Sequence, residues 1–169
     1  MEKNKVVFLD RDGTINYDYG YVHEKSKLKF LPGVIEGLKK LKENNYELII
    51  ITNQSGIGRG YFTDDEFQKF NSYMLDELKK NNIDIKDVYY CPHIDEDDCE
   101  CRKPKLKLFY DAIEKHNVDL ENSYVIGDKE RDLSISKKTP ITGILIYNKS
   151  DEYICKKDLL DAVNYIVKK

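Results

Sequence analysis

The stretch CPHIDEDDCEC supplies Cys91, His93, Cys99 and Cys101, three thiols and one imidazole, which make up the Cys₃His set of a tetrahedral zinc site. The Cys-x-His and Cys-x-Cys spacings are shorter than the usual finger pattern, so the ion is expected in a loop that wraps around it. Asp95, Glu96, Asp97, Asp98 and Glu100 mark that loop as solvated. Four protein ligands leave no coordination position for water or substrate, which assigns zinc a structural task. An acidic loop with almost no apolar anchor loses about 1–2 kcal/mol of backbone entropy per residue on ordering, and zinc closure offsets that loss. Arg102 and Lys103 follow the last ligand directly, so the ion sets where they point.

A second set of residues is built from hard oxygen donors. FLDRDGTIN carries Asp10 and Asp12, with Gly13 free to turn the chain sharply, and GDKERD carries Asp128 and Asp132. TNQSG adds the hydroxyls of Thr52 and Ser55. Each segment directly follows a short apolar run that reads as a strand, so the acids converge on one sheet edge. Close carboxylates repel by about 4 kcal/mol per pair at an effective dielectric near 20, and their convergence therefore calls for a cation. Magnesium suits oxygen ligands and keeps waters that a phosphate can replace. Asp is also a common turn former, but acids at the ends of separate strands are harder to read as turns alone.

The elements that must position these groups are legible as alternating strands and helices. VVFL (6–9), ELIIIT (47–52), VYYC (88–91), SYVIG (123–127) and GILIY (143–147) are β-branched or aromatic runs of strands buried on both faces. Pro32-Gly33 opens a helix with Val34, Ile35, Leu38 and Leu41 on one face. Thr63 and Glu66 form a capping box ahead of Phe67, Phe70, Met74, Leu75 and Leu78. Further helices are expected over 106–116 and 158–167, with a shorter one near Leu133. The alternation predicts a doubly wound, Rossmann-like α/β parallel sheet of about five strands, in one domain spanning 1–169, with ligands outside the carboxyl ends of the strands.

Composition narrows the function classes. The chain has 169 residues, 40% of them apolar and 35% charged with both signs mixed, as in a folded globular unit. A formal net charge of −3 disfavours a non-specific nucleic-acid binder. No apolar run approaches the roughly 20 residues of a membrane span, no signal-peptide core follows the charged start, and clustered thiols suit a reducing cytoplasm. No nucleic-acid or membrane partner is expected, and Cys155 reads as an ordinary buried or half-buried thiol.

FLDRDGTIN, TNQSGIGRGYF, CRKP and GDKERD, in this order, resemble the four motifs of the haloacid dehalogenase superfamily of phosphatases. Within it the chain is similar to the small zinc-containing branch that includes heptose bisphosphate phosphatases and histidinol-phosphatases. The resemblance runs from about Val6 to Tyr147. It implies that Asp10 is the nucleophile that forms an aspartyl-phosphate and that Asp12 is the general acid and base, its side chain free of the metal. It further implies magnesium on the Asp10 side chain, the Asp12 main-chain carbonyl and the Asp128 side chain. Lys103, Thr52 and the amide of Asn53 would hold the phosphoryl oxygens, and Asp132 would steady Lys103 or a metal-bound water.

The segment from Ile15 to Leu31 is too short for the cap domain common in the superfamily, so an open site served by loops is expected. NYDYGYVHE resembles a substrate loop of the heptose enzymes. It would bring Asp18, Tyr19, Gly20 and Tyr21 to the substrate, with Asn53, Gln54, Ser55, Arg102 and Lys129 completing the pocket. GYVH and TNQSGIGRGYF favour a sugar bisphosphate, whereas the short acidic loop and RKPKLKL look more like histidinol-phosphatases, so histidinol phosphate stands as the alternative. A non-catalytic module that docks a partner through the zinc loop is a remoter third reading, disfavoured by the presence of both Asp10 and Asp12. A monomer acting on a small phosphate ester is the default expectation.

Overall fold

Why the acids converge is visible in how the sheet is ordered. A computed structural model of the chain describes residues 2–168. Six strands, β1 (Val6–Leu9), β2 (Glu47–Asn53), β3 (Asp87–Cys91), β4 (Tyr124–Gly127), β5 (Thr142–Ile146) and β6 (Ile154–Lys156), lie in the order β3-β2-β1-β4-β5-β6. All neighbours pair in parallel. The order reverses between β1 and β4, and at that reversal a crevice opens beyond the carboxyl ends of the strands. Leu9 pairs with Ile50 of β2 and Ile126 of β4, so the next residue, Asp10, stands at the crevice floor. The five expected strands are all present, and β6 is a sixth that the sequence reading lacked.

Alternate residues of each strand enter different cores, because successive side chains point to opposite faces. Val7, Leu9, Leu48, Ile50, Ile126 and Ile144 pack under α1 (Val34–Glu43), α2 (Asp64–Lys79) and α4 (Leu159–Val167). Val6, Phe8, Ile49, Ile51, Val125 and Leu145 pack on the other face, against α3 (Lys107–Lys115) and a 3₁₀ segment, Glu130–Lys137. Full burial of such side chains stabilises the sheet by about 1.5–3 kcal/mol each. The capping box at Thr63 and Glu66 forms in both directions and starts α2.

Between β1 and α1 the described residues form loops with one short 3₁₀ turn, Lys25–Lys27, and no inserted domain. The crevice is therefore bordered by loops: the segment after β1, the turn after β2, the cysteine loop after β3 and the chain after β4. No helix among the described residues is long and apolar enough to cross a membrane.

Candidate active site

Carboxylate oxygens of Asp10, Asp128 and Asp132 lie within 4.8 Å of one another. Lys103 reaches them from the loop after β3. Its buried Nζ stands 3.1 Å from Asp10 Oδ1 and 2.8 Å from Asp132 Oδ1, and donates to the Ile51 carbonyl at 2.7 Å. Burial disfavours charge on Lys103, but Asp10 and Asp132 outweigh it and hold the amine above its ordinary value. Burial, followed by the charge of Asp132, pushes the Asp10 carboxyl up to about 7 against the pull of Lys103. Burial and Asp132 likewise raise Asp128 to about 6. The carboxyls outnumber the ammonium, so the protein alone leaves negative charge unmatched.

A hard divalent cation fits that imbalance on three counts. The donors are oxygens. Asp128 Oδ1 is buried without a hydrogen-bond partner, and a buried acceptor in a folded protein is ordinarily satisfied. Room for Asp128 exists because residue 13 is glycine: a Cβ there would lie 2.4 Å from Asp128 Oδ2, and its φ of +86° belongs to the left-handed region.

Asp12 is absent from this group because its side chain is held elsewhere. Arg11 donates Nε and Nη2 to the two carboxylate oxygens at 3.0 Å each, Asn16 donates at 2.9 Å, and Gln54 Nε2 donates at 3.1 Å. Arg11 is itself fully buried, with its guanidinium 4.8 Å from the Phe70 ring centre and 5.7 Å from that of Phe67. Gln54 also donates to Thr52 Oγ1 at 3.0 Å. A bidentate, charge-assisted pair backed by two amides fixes the direction of Asp12 more narrowly than a single bond would.

Cys91 ends β3, and His93, Cys99 and Cys101 return to it, all four ligand atoms lying within 4.8 Å of one another. His93 Nδ1 is 3.4 Å from the Cys91 sulfur and 3.2 Å from that of Cys101, while Cys99 is 3.6 Å from Cys91. All cysteines among the described residues are free. Three sulfurs and one ring nitrogen at these separations suit tetrahedral zinc, with bonds of about 2.3 and 2.0–2.1 Å. Burial, ahead of hydrogen bonds from Cys101 and Cys99, pushes the Cys91 thiol up, and metal binding would have to supply the thiolate. The loop is tied to its neighbours, since Gln54 and Gly58 donate backbone N–H to the carbonyls of Cys91 and Pro92 at 2.7 and 2.9 Å. Asn53 exchanges side-chain bonds with the Lys103 backbone, donating at 3.2 Å and accepting at 2.9 Å, so its amide positions the lysine.

Above this floor is a cleft of about 230 Å³ that takes in Asp10, Asp12, Thr52, Asn53, Gln54, Ser55, Lys103 and Asp132. Asp18, Gly20 and Tyr21 form one wall, and Arg102 and Lys129 border it as well. Tyr19 does not join them: its exposed ring stacks on Tyr17 with centroids 6.0 Å apart. Two ring pairs join the loop after β1 to the turn after β2, Tyr21 against Tyr61 at 4.8 Å and His23 against Phe62 at 4.6 Å.

A family model described as polynucleotide kinase 3 phosphatase matches residues 5–154. Over 136 residues the chain is 47% identical to the D-glycero-beta-D-manno-heptose-1,7-bisphosphate 7-phosphatase of Haemophilus influenzae, covering 77% of this chain and 74% of that one. The chain belongs to this family of haloacid dehalogenase phosphatases. A probable D-glycero-D-manno-heptose-1,7-bisphosphate 7-phosphatase of Thermoplasma volcanium is 48% identical to the phosphatase over 125 residues, 74% of this chain and 86% of that one. The fold agrees with a crystal structure of D,D-heptose 1,7-bisphosphate phosphatase from B. bronchiseptica complexed with magnesium and phosphate, at a TM-score of 0.88 and 24% identity, covering 97% of this chain and 98% of that one.

Three basic residues escaped the sequence reading, one buried behind Asp12 and two lining the phosphatase cleft. Arg11 lies inside FLDRDGTIN, and Arg59 and Arg131 follow the ends of β2 and β4. A signal was available: each is a cation within a motif that already carried the chemistry. Arg59 and Arg131 border the cleft beside Arg102 and Lys129.

Proposed function

We propose that this one domain hydrolyses a phosphate monoester through an aspartyl-phosphate, and that its preferred substrate is the 7-phosphate of D-glycero-D-manno-heptose 1,7-bisphosphate. The observation that carries the reading is Asp10 at the sheet reversal, exposed to the cleft, flanked by Lys103 and clustered with Asp128 and Asp132. An Asp10 carboxylate oxygen attacks phosphorus, the bond from phosphorus to the ester oxygen breaks, and Asp12 delivers the proton that the departing alcohol needs. Asp12 then takes a proton from water as that water attacks the same phosphorus, which frees Asp10 and inorganic phosphate. Magnesium, held by the side chains of Asp10 and Asp128 and the Asp12 carbonyl, supplies charge neutralisation for the phosphoryl oxygens. Thr52, Lys103 and the backbone amide of Asn53 bind those oxygens, while Asp132 keeps the Lys103 amine in place.

The names of the relatives support the sugar, and the loop from Asp18 to Tyr21 against the cleft is where its hydroxyls would be read. Ser55, Arg102 and Lys129 complete that pocket. Zinc on Cys91, His93, Cys99 and Cys101 holds the loop that delivers Lys103. A monomer is the default for a small enzyme with an open site, and clustered thiols suit a reducing, cytoplasmic setting.

The test is a panel of phosphate esters assayed with magnesium, using wild-type protein and Asp10→Asn. Expected are the highest kcat/KM on heptose 1,7-bisphosphate and no turnover above background for Asp10→Asn. Preference for histidinol phosphate or a 3′-phosphorylated oligonucleotide overturns the substrate, and undiminished turnover by Asp10→Asn overturns the mechanism.

A further inference from the structure

The peptide that follows Asp128 is gripped at both ends. The ladder between β4 and β5 ends with Gly127 beside Leu145, one residue short of Asp128, so the Asp128–Lys129 peptide lies beyond the strands. Its N–H, on Lys129, donates to Asp132 Oδ2 at 3.1 Å. Its carbonyl, on Asp128, accepts from Asn148 Nδ2 at 2.5 Å. Asn148 reaches it from the loop after β5 and is itself exposed, so apolar burial does not explain its placement. Tyr147 just before it has a φ of +63°, a left-handed value that a bulky residue rarely takes and that persists only where the surroundings enforce it. A further bond, from Ser150 Oγ to Glu130 Oε1 at 2.8 Å, ties the same loop to the chain after β4. Because a peptide unit is planar, a bond at each end fixes its tilt, and with it the base from which the Asp128 carboxylate projects. That carboxylate carries the oxygen without a partner, Oδ1.

We propose that Asn148 is a positioning residue for the divalent cation, clamping the Asp128–Lys129 peptide against Asp132 so that Asp128 keeps its carboxylate on the metal. The inference rests on the phosphatase reading and deepens it. Asp132 serves twice, with Oδ1 on Lys103 and Oδ2 on the peptide, and Asn148 completes from the loop after β5 what Asp132 begins from within. Magnesium demands near-ideal octahedral geometry, so a carboxylate free to turn costs affinity even when every ligand is present. Groups that orient a metal ligand from behind are worth about 10–100-fold in affinity, and an exposed hydrogen bond belongs at or below the lower end of that range. An asparagine that only ordered its own loop would act on stability and leave metal affinity alone.

The experiment titrates magnesium calorimetrically into wild type, Asn148→Ala, Asn148→Leu and Ser150→Ala, and follows the magnesium dependence of phosphate release from heptose 1,7-bisphosphate in each. Leucine keeps the shape of asparagine and lacks the donor. Both Asn148 variants are expected to bind magnesium about five- to tenfold more weakly in the two readouts, with kcat at saturating magnesium and KM for the ester within about twofold of wild type. Ser150→Ala loosens the same loop without touching Asp128, and its magnesium affinity is expected to stay within about twofold of wild type. Wild-type affinity in either Asn148 variant overturns the proposal. So does an equal loss in Ser150→Ala, which makes the effect one of loop order. Should wild type bind no magnesium and release no phosphate from any ester, it is the phosphatase reading itself that fails. Asn148 is exposed, so neither substitution disturbs the core.

Discussion

Asp12 and Asp10 are two residues apart yet held by different partners, and that separation suits different tasks. Arg11, Asn16 and Gln54 direct the Asp12 carboxylate away from the group formed by Asp10, Asp128 and Asp132. Asp12→Asn is therefore expected to lower kcat by about 10²–10⁴-fold, the usual share of a general acid and base, with magnesium affinity unchanged. Steady-state kinetics beside calorimetric titration of magnesium checks both halves, and a wild-type rate rejects the role. Gly13→Ala addresses the metal itself. Its added Cβ meets Asp128 and its φ is left-handed, so magnesium affinity is expected to fall at least tenfold while melting drops by only a few degrees. The acids were legible in the sequence because each lies in a segment that begins at the end of a strand. The work of Asn53 and Gln54 was not, because a side-chain amide that bonds a residue far along the chain leaves no local pattern. Arg59 and Arg131 stood inside motifs that were already recognised, but their convergence on one cleft from separate loops has no spacing rule.

Strands and loops share the labour unevenly. The strands were readable because burial on both faces demands unbroken apolar runs. β6 was missed since it has three residues, all half-buried, ends in Lys156 and occupies the sheet edge. The shorter helix expected near Leu133 is present as the 3₁₀ segment Glu130–Lys137, with Leu133 and Ile135 as its buried apolar pair. The zinc loop was legible from ligand chemistry alone, its apolar content being too small to predict anything. Its attachments bear on function: Lys103 and Arg102 leave it, and the turn after β2 hydrogen-bonds to it at Cys91 and Pro92. Removing zinc with a chelator is expected to lower the melting temperature by at least about 5 °C and activity to a tenth or less, since metal affinity here is folding free energy. Calorimetry with verified metal content measures the first, and a phosphate-release assay the second. Unchanged melting in zinc-free protein refutes the structural role.

At the scale of the molecule, a chain of net charge −3 presents a cleft bordered by Arg59, Arg102, Lys129 and Arg131. A local positive field within an acidic protein attracts anions to one place. Raising ionic strength from about 0.05 to 0.5 M, which shortens the screening length from about 14 to 4 Å, is expected to raise KM several-fold with little effect on kcat. A salt-independent KM would remove the field from the account. The doubly wound order gives this field its focus, because one reversal in the sheet makes a single crevice for charge to collect in. The ring pairs described at the cleft, Tyr21 with Tyr61 and His23 with Phe62, have a consequence for traffic. They clasp two flanks of the mouth, so the loop after β1 and the turn after β2 are expected to shift together as one bank whenever substrate enters or product leaves.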